Sequence, residues 1–235
     1  MMLVIALAVA TVPGWYWWRW RAERQSIDGL RALGAIVAVR RFDPEGLEKY
    51  LPDRWAFLRD HATEVELEKC TADRIGRVDL RPLSRLEILS LMDSNVDDAL
   101  VAQLQGATRL RYVCVWRAPM NGAGLIHLAG CRELIRLDVP ATKVDDAALV
   151  HVGRMTSLAV LDLEYTNITD AGLSHLTGLM ALERLDLWGT PITDAGILQL
   201  ADLPSLRSIR VNGTKVTEQG KRAFLKRRPE AGFYE

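Results

Sequence analysis

The chain has 235 residues, 49% hydrophobic and 26% charged, which excludes a disordered or low-complexity polymer and leaves room for one large domain or two small ones. Thirty basic and thirty acidic side chains cancel, so the whole molecule has no general attraction to nucleic acid or to an anionic surface. The cancellation is uneven: residues 60–100 carry ten acidic against five basic side chains, and residues 206–235 carry eight basic against three acidic.

Residues 2–18, MLVIALAVATVPGWYWW, hold no charge, and Arg19, Arg21 and Arg24 come directly after them. That length is at the short limit of the ~20 residues that cross a bilayer. Trp15, Tyr16, Trp17, Trp18 and Trp20 form the kind of aromatic belt that sits at a membrane interface. We read residues 1–20 as a retained anchor in the lipid bilayer. Ala8-Val9-Ala10 matches the small-residue pattern of a cleaved signal peptide, but no basic stretch precedes it. Positive charge behind the span, continued by Arg31, predicts a single-pass membrane protein with the rest of the chain on the cytoplasmic side. Cys70, Cys114 and Cys131 form neither a CxxC pair nor an even framework, so free thiols in a reducing compartment are expected, with no zinc site.

Residues 21–61 suggest a short helix, a break at Gly34, a strand over 36–40 and a second helical stretch interrupted by Pro52. This segment is expected to cap the open edge of the region that begins at residue 62.

From residue 62 to 229 the chain repeats itself every 24 residues, with a short tail over 230–235. Leu86, Leu110, Leu134, Leu158, Leu182 and Leu206 form one column without insertion. Leu89, Val113, Leu137, Leu161, Leu185 and Ile209 form the next, and Leu91, Val115, Val139, Leu163, Leu187 and Val211 a third. A small-polar column comes after them: Ser94, Ala118, Thr142, Thr166, Thr190 and Thr214. The unit is LxxLxLxxTxITDAGLxxLxxL, and residues 62–83 fit it loosely as a degenerate first copy. LxL alternates with the period of a strand. Thr169 or Asp170, and likewise Thr193 or Asp194, can cap the next helix in the chain. Each unit is therefore strand, turn and short helix, with strands near 64–67, 87–91, 111–115, 135–139, 159–163, 183–187 and 207–211. No unit buries its leucines alone; a stack shares one core.

This unit resembles the leucine-rich repeat, in its Thr-containing TxITDAGL variety. The resemblance implies an α/β fold: a right-handed solenoid with a parallel sheet on the concave side, helices on the convex side, and an N-terminal transmembrane helix. The arrangement is similar to bacterial single-pass membrane proteins that carry such repeats behind an RALGA helix. It implies a non-enzymatic scaffold that binds a protein partner through its concave face. Similar ITDAGL repeats also build soluble substrate-recognition adaptors of ubiquitin ligases, although no F-box-like segment precedes the repeats here. A structural envelope component is a further alternative.

Strand alternation assigns the outward positions. Tyr112, Trp116, Arg136, Asp138, Asp162, Glu164, Arg184, Asp186 and Trp188 are the candidate partner-binding residues, because aromatic groups beside an acidic row are typical of interface anchors. The aspartates on adjacent strands ~5 Å apart have the spacing of a retaining glycosidase pair, but no closing pocket is implied and a hydrolase is disfavoured. No catalytic, cofactor or metal site is expected, nor a small-molecule substrate. His127, His151 and His175 recur on successive helices ~8–10 Å apart, too far for shared ligation at about 2 Å. Cys131 falls in a core column, and Cys114 falls among the outward aspartates and is expected to be accessible. The basic residues Lys221, Arg222, Lys226, Arg227 and Arg228 suit the end of a solvated last helix, so nucleic-acid binding is not expected.

Overall fold

The computed structural model describes residues 14–41, 60–70 and 78–234. A nine-stranded sheet in sequential order β1 to β9 forms one side of the molecule. Its strands are β1 (Ile36–Arg41), β2 (Asp60–Glu68), β3 (Ile88–Met92), β4 (Tyr112–Trp116), β5 (Arg136–Asp138), β6 (Val160–Asp162), β7 (Arg184–Asp186), β8 (Ser208–Arg210) and β9 (Gly232–Phe233). From β2 onward every pairing is parallel, and residue n faces n + 24 from β2 to β9: Val65 lies beside Leu89, Leu161 beside Leu185, Ile209 beside Phe233. The repeat period in the sequence is thus the register of the sheet.

Between strands run the helices α2 (Asp98–Ala102), α3 (Asp146–Val152), α4 (Asp170–Leu173), α5 (Asp194–Gln199) and α6 (Glu218–Arg227), with a 3-10 helix over Ala123–Gly130. The apolar columns meet between the two layers. Leu161, Leu163, Leu185 and Leu187 are fully buried, each worth ~1.5–3 kcal/mol of apolar burial. Thr142, Thr166, Thr190 and Thr214 turn the chain after each strand: each hydroxyl donates to the carbonyl three residues back, at 2.6 to 2.7 Å. A buried hydroxyl is thereby satisfied inside its own coil.

The ITDAGL segment does two jobs. Thr169 and Thr193 cap their helices, their hydroxyls accepting from the Ala171 and Ala195 amides. The aspartate beside each reaches the next coil. Asp146 accepts from the amide and hydroxyl of Thr169, Asp170 from those of Thr193, and Asp194 from those of Thr217, at 2.6 to 2.8 Å. The glycine then makes room: a Cβ on Gly172, Gly196 or Gly220 would stand 2.0 to 2.2 Å from that aspartate's Oδ1.

The two ends depart from the sequence expectation. β2 is a full nine-residue strand rather than a short one, because antiparallel β1 pairs along it with a bulge at Ala38/Val39. Helix α1 (Gly14–Ala32) docks its C-terminal half on this end. Glu23, Ser26, Ile27 and Leu30, at helical spacing, are its buried face, and Glu23 accepts from the Ala62 amide at 3.1 Å. Arg19 donates to the Ser84 hydroxyl. Among the described residues, no helix is long and apolar enough to cross a membrane. The expected span over residues 2–18 lies mostly outside the described residues, as does the helical stretch around Pro52. At the other end, the tail is not a bare extension: Gly232–Phe233 adds β9, and Phe233 packs edge-on against Phe224 at 5.6 Å.

Candidate functional site

The exposed face of the sheet carries three columns. In the middle run Ser90, Cys114, Asp138, Asp162, Asp186 and Arg210, in register from strand to strand. The flanking columns are taller and cover it, which is why Asp138 is only 4% exposed and Cys114 only 5%. Cys114 is therefore not the accessible thiol expected from its position. Burial pushes its thiol above the ordinary range, so it is no ready thiolate.

Two polar clusters divide the face. In the first, Arg136 Nε donates to both oxygens of Asp138 at 3.0 and 2.8 Å, and the Tyr112 hydroxyl donates to Oδ2 at 3.0 Å. The Arg136 guanidinium also lies 5.1 Å from the centre of the Tyr112 ring. Burial raises the Asp138 carboxyl above its usual range, against the pull of Arg136 and Tyr112. Burial and the Asp138 charge likewise push the Tyr112 phenol up.

In the second, the oxygens of Asp162, Glu164 and Asp186 lie within 4.8 Å of one another. Arg210 supplies a counter-charge, with its Nη1 3.3 Å from Asp186 Oδ2 and 3.7 Å from Glu164 Oε2. Asp162 and Asp186 each also accept from the backbone amide two residues on, at Glu164 and Trp188. Burial first, then the neighbouring Asp186 and Asp138 charges, raise the Asp162 carboxyl to about 6, although the Glu164 amide opposes them. Burial and Asp186 raise Glu164 as well. Among the described residues Asp162 makes no ion pair.

The aromatic residues separate into pinned and free. Trp188 is held between the Tyr165 ring at 5.2 Å and the Arg210 guanidinium at 4.1 Å, and it rests on Gly213 of the next turn. Tyr165 takes a left-handed backbone (φ 51°) and lies over Gly189, where a Cβ would come within 2.5 Å of its ring. Trp116, 36% exposed, pairs in register with the 38%-exposed Met92, beside Arg117 at 5.1 Å.

Eight of the nine predicted residues thus fall in three places: Tyr112, Arg136 and Asp138 together; Asp162, Glu164, Asp186 and Trp188 together; Trp116 apart near the first coils. Arg184 joins the two polar clusters across a shallow pocket of about 120 Å³ that also takes in Arg136, Val160, Asp162, Asp186 and Tyr234. Tyr234 and Arg210 were missing from the predicted set. One more 24-residue step from Arg210 lands on Tyr234, so the repeat frame carried that signal past the last leucine column. The three recurring histidines lie in the helix layer, away from this face.

Residues 154–176 match the family described as "Leucine Rich repeat". Among solved structures, a leucine-rich repeat protein of Leptospira interrogans superposes with a TM-score of 0.54 at 17% identity, over 66% of this chain and 38% of that protein. The fold is that of a leucine-rich repeat solenoid. The chain spans well under half of the Leptospira relative, whose likeness establishes the fold alone. Internalin C2 of Listeria monocytogenes aligns with a TM-score of 0.49 at 17% identity, over 76% of this chain and 84% of its own. No curated protein sequence matches. Leucine-rich repeat solenoids serve as protein-interaction scaffolds, their stacked units presenting one extended face.

Proposed function

We propose that this leucine-rich repeat protein is a non-enzymatic scaffold that holds a protein partner on the exposed face of its sheet, and that residues 1–20 tether it to a bacterial membrane. The observation that carries the first part is the freedom of the outward columns. The leucines between the layers complete the core, yet the outer face still assembles aromatic, basic and acidic side chains on rigid strands. Rim residues such as Trp116 and Tyr165, 36% and 52% exposed, are the type that anchors interfaces. The tether is supported by the uncharged run over residues 2–18 and the arginines behind it, which also favour a cytoplasmic solenoid.

Photo-crosslinking from position 116, with mass spectrometry of the membranes, tests the scaffold. A single protein captured there and not from position 175 on the helix layer is the expected result, and equal capture from both positions overturns the reading. Carbonate extraction together with protease treatment of spheroplasts tests the tether. Digestion of the repeats from outside reverses the side assignment, and release by carbonate removes the tether.

A further inference from the structure

The pocket between the two polar clusters has an imbalance that the scaffold role does not use. Its charged lining consists of Arg136, Arg184, Asp162 and Asp186. Two of these are already committed, Arg136 to Asp138 by three contacts of 2.8 to 3.0 Å and Asp186 to Arg210 at 3.3 Å. Arg184 and Asp162 remain, and among the described residues neither makes an ion pair. Both sit on adjacent strands: Val160 is in register with Arg184, and Asp162 with Asp186. Arg184 and Asp162 are therefore diagonal neighbours, roughly 8 Å apart at the backbone from the strand spacing and rise. They are near enough for one small ligand to span and far enough that they do not close on each other. Val160 gives the floor between them an apolar surface, and Tyr234, directly after β9, brings a phenol to the rim.

From this we infer that the pocket is a binding site for a small zwitterion, with the ligand's ammonium group on Asp162 and its carboxylate on Arg184 and the Tyr234 hydroxyl. A lone cation would meet Arg136 and Arg184, and a lone anion would meet Asp162 and Asp186. Only a molecule carrying both signs is attracted at each end, and its short methylene chain covers Val160. The site goes beyond the scaffold role and does not depend on it. The elevated Asp162 carboxyl, at about 6, adds a pH signature: the group is mostly ionised at pH 7.5 and mostly protonated at pH 5.

The experiment uses the straight-chain ω-amino acids glycine, β-alanine, γ-aminobutyrate and 6-aminohexanoate as a ruler of charge separation. Butylamine and butyrate are the single-charge controls. Binding to the full chain is monitored by NMR through the Arg184 side-chain Nε–H and the Tyr234 ring. One or two of the zwitterions should produce saturable shifts at millimolar concentration, while both controls bind at least tenfold more weakly. Arg184→Gln and Asp162→Asn should each weaken binding at least tenfold while keeping the amide spectrum, and His175→Ala should leave it unchanged. Should the Asp162 variant fail to fold, the wild-type chain supplies the same reading, because zwitterion binding should fall several-fold between pH 7.5 and pH 5. Butylamine binding as tightly as γ-aminobutyrate, butyrate doing so, or no saturable shift from any zwitterion overturns the assignment.

Discussion

Asp170 holds Thr193 of the next coil with both carboxylate oxygens, Oδ1 on the amide at 2.8 Å and Oδ2 on the hydroxyl at 2.6 Å. The contact requires Gly196 to have no side chain, since a Cβ there would lie 2.1 Å from Oδ1. Aspartate and glycine 26 residues apart are thus one device, and the chain itself shows the alternative. Where the aspartate is replaced by Gly122, the matching glycine is replaced by Ala148, and a Cβ on Gly122 would stand 2.5 Å from the Ala148 Cβ.

This predicts a non-additive double-mutant cycle. Asp170→Gly takes the acceptor away from the amide and the hydroxyl proton of Thr193 and should cost roughly 1–3 kcal/mol. Gly196→Ala forces the carboxylate aside and should cost a similar amount. The double variant reproduces the pairing at positions 122 and 148, and should be more stable than the sum of the two losses by ~1 kcal/mol or more. Urea unfolding of the four proteins measures this, and strict additivity would show that the two residues are independent.

The Thr column gives a smaller effect. The Thr166 hydroxyl donates to the Leu163 carbonyl at 2.6 Å, and the Thr166 amide also points at that carbonyl at 3.3 Å. Thr166→Val therefore removes one of two donors and should cost about 1 kcal/mol, the net worth of a single hydrogen bond. An unchanged melting temperature would show that the hydroxyl contributes nothing.

The repeat itself sets how much of this was legible in the sequence. Register, core and Thr turn are each fixed by a single column, so a 24-residue slide gives all three. The Asp170–Gly196 link is also columnar, but its partners lie in different copies, and a reading of one unit shows the aspartate only as a second possible cap. On the outer face, alternation assigns each residue to the face and says nothing of pairing. Asp138, Asp162 and Asp186 look alike in sequence. They differ because Arg136 turns back on Asp138 and Arg210 reaches Asp186, which leaves Asp162 between them. The N-terminal segment was legible as a helix, a break at Gly34 and a strand near β1, but the buried face of α1 was not, since it owes its meaning to β2, which it meets in three dimensions.

Asp162 should leave a mark on stability against pH. Its folded carboxyl is raised to about 6, above the unfolded value near 4. The folded state therefore holds the proton more tightly than the unfolded chain. The resulting stability is fully present below about pH 4 and is lost as pH rises through about 6. The groups facing it are Asp138, Asp186 and Glu164, which oppose its ionisation, and Arg136, with which it interacts favourably. Asp138 and Glu164, also raised, act in the same direction. Allowing for solvent screening, the loss from Asp162 should be about 1–2 kcal/mol. Asp162→Asn should remove that share of the slope between pH 4 and 6 in urea titrations; an identical slope in the variant would assign it to the other carboxylates.

The two tryptophans should separate stability from binding. Trp188 is wedged between Tyr165 and Arg210 and rests on Gly213, so its removal disturbs the fold. Trp188→Ala should cost roughly 2–4 kcal/mol of stability, in the range for emptying an aromatic site that is partly exposed. Trp116 sits at the rim with Met92, and the Arg117 guanidinium lies 5.1 Å from the centre of its ring. Trp116→Ala should leave the melting temperature within a few degrees of wild type. If the exposed face holds a protein partner, the same change should weaken binding at least tenfold, which is about 1.4 kcal/mol. Thermal unfolding and affinity for the crosslinked partner, measured on both variants, decide the point. Wild-type affinity in Trp116→Ala would move the interface off this end of the sheet, whereas a large loss of stability there would make Trp116 a packing residue like Trp188.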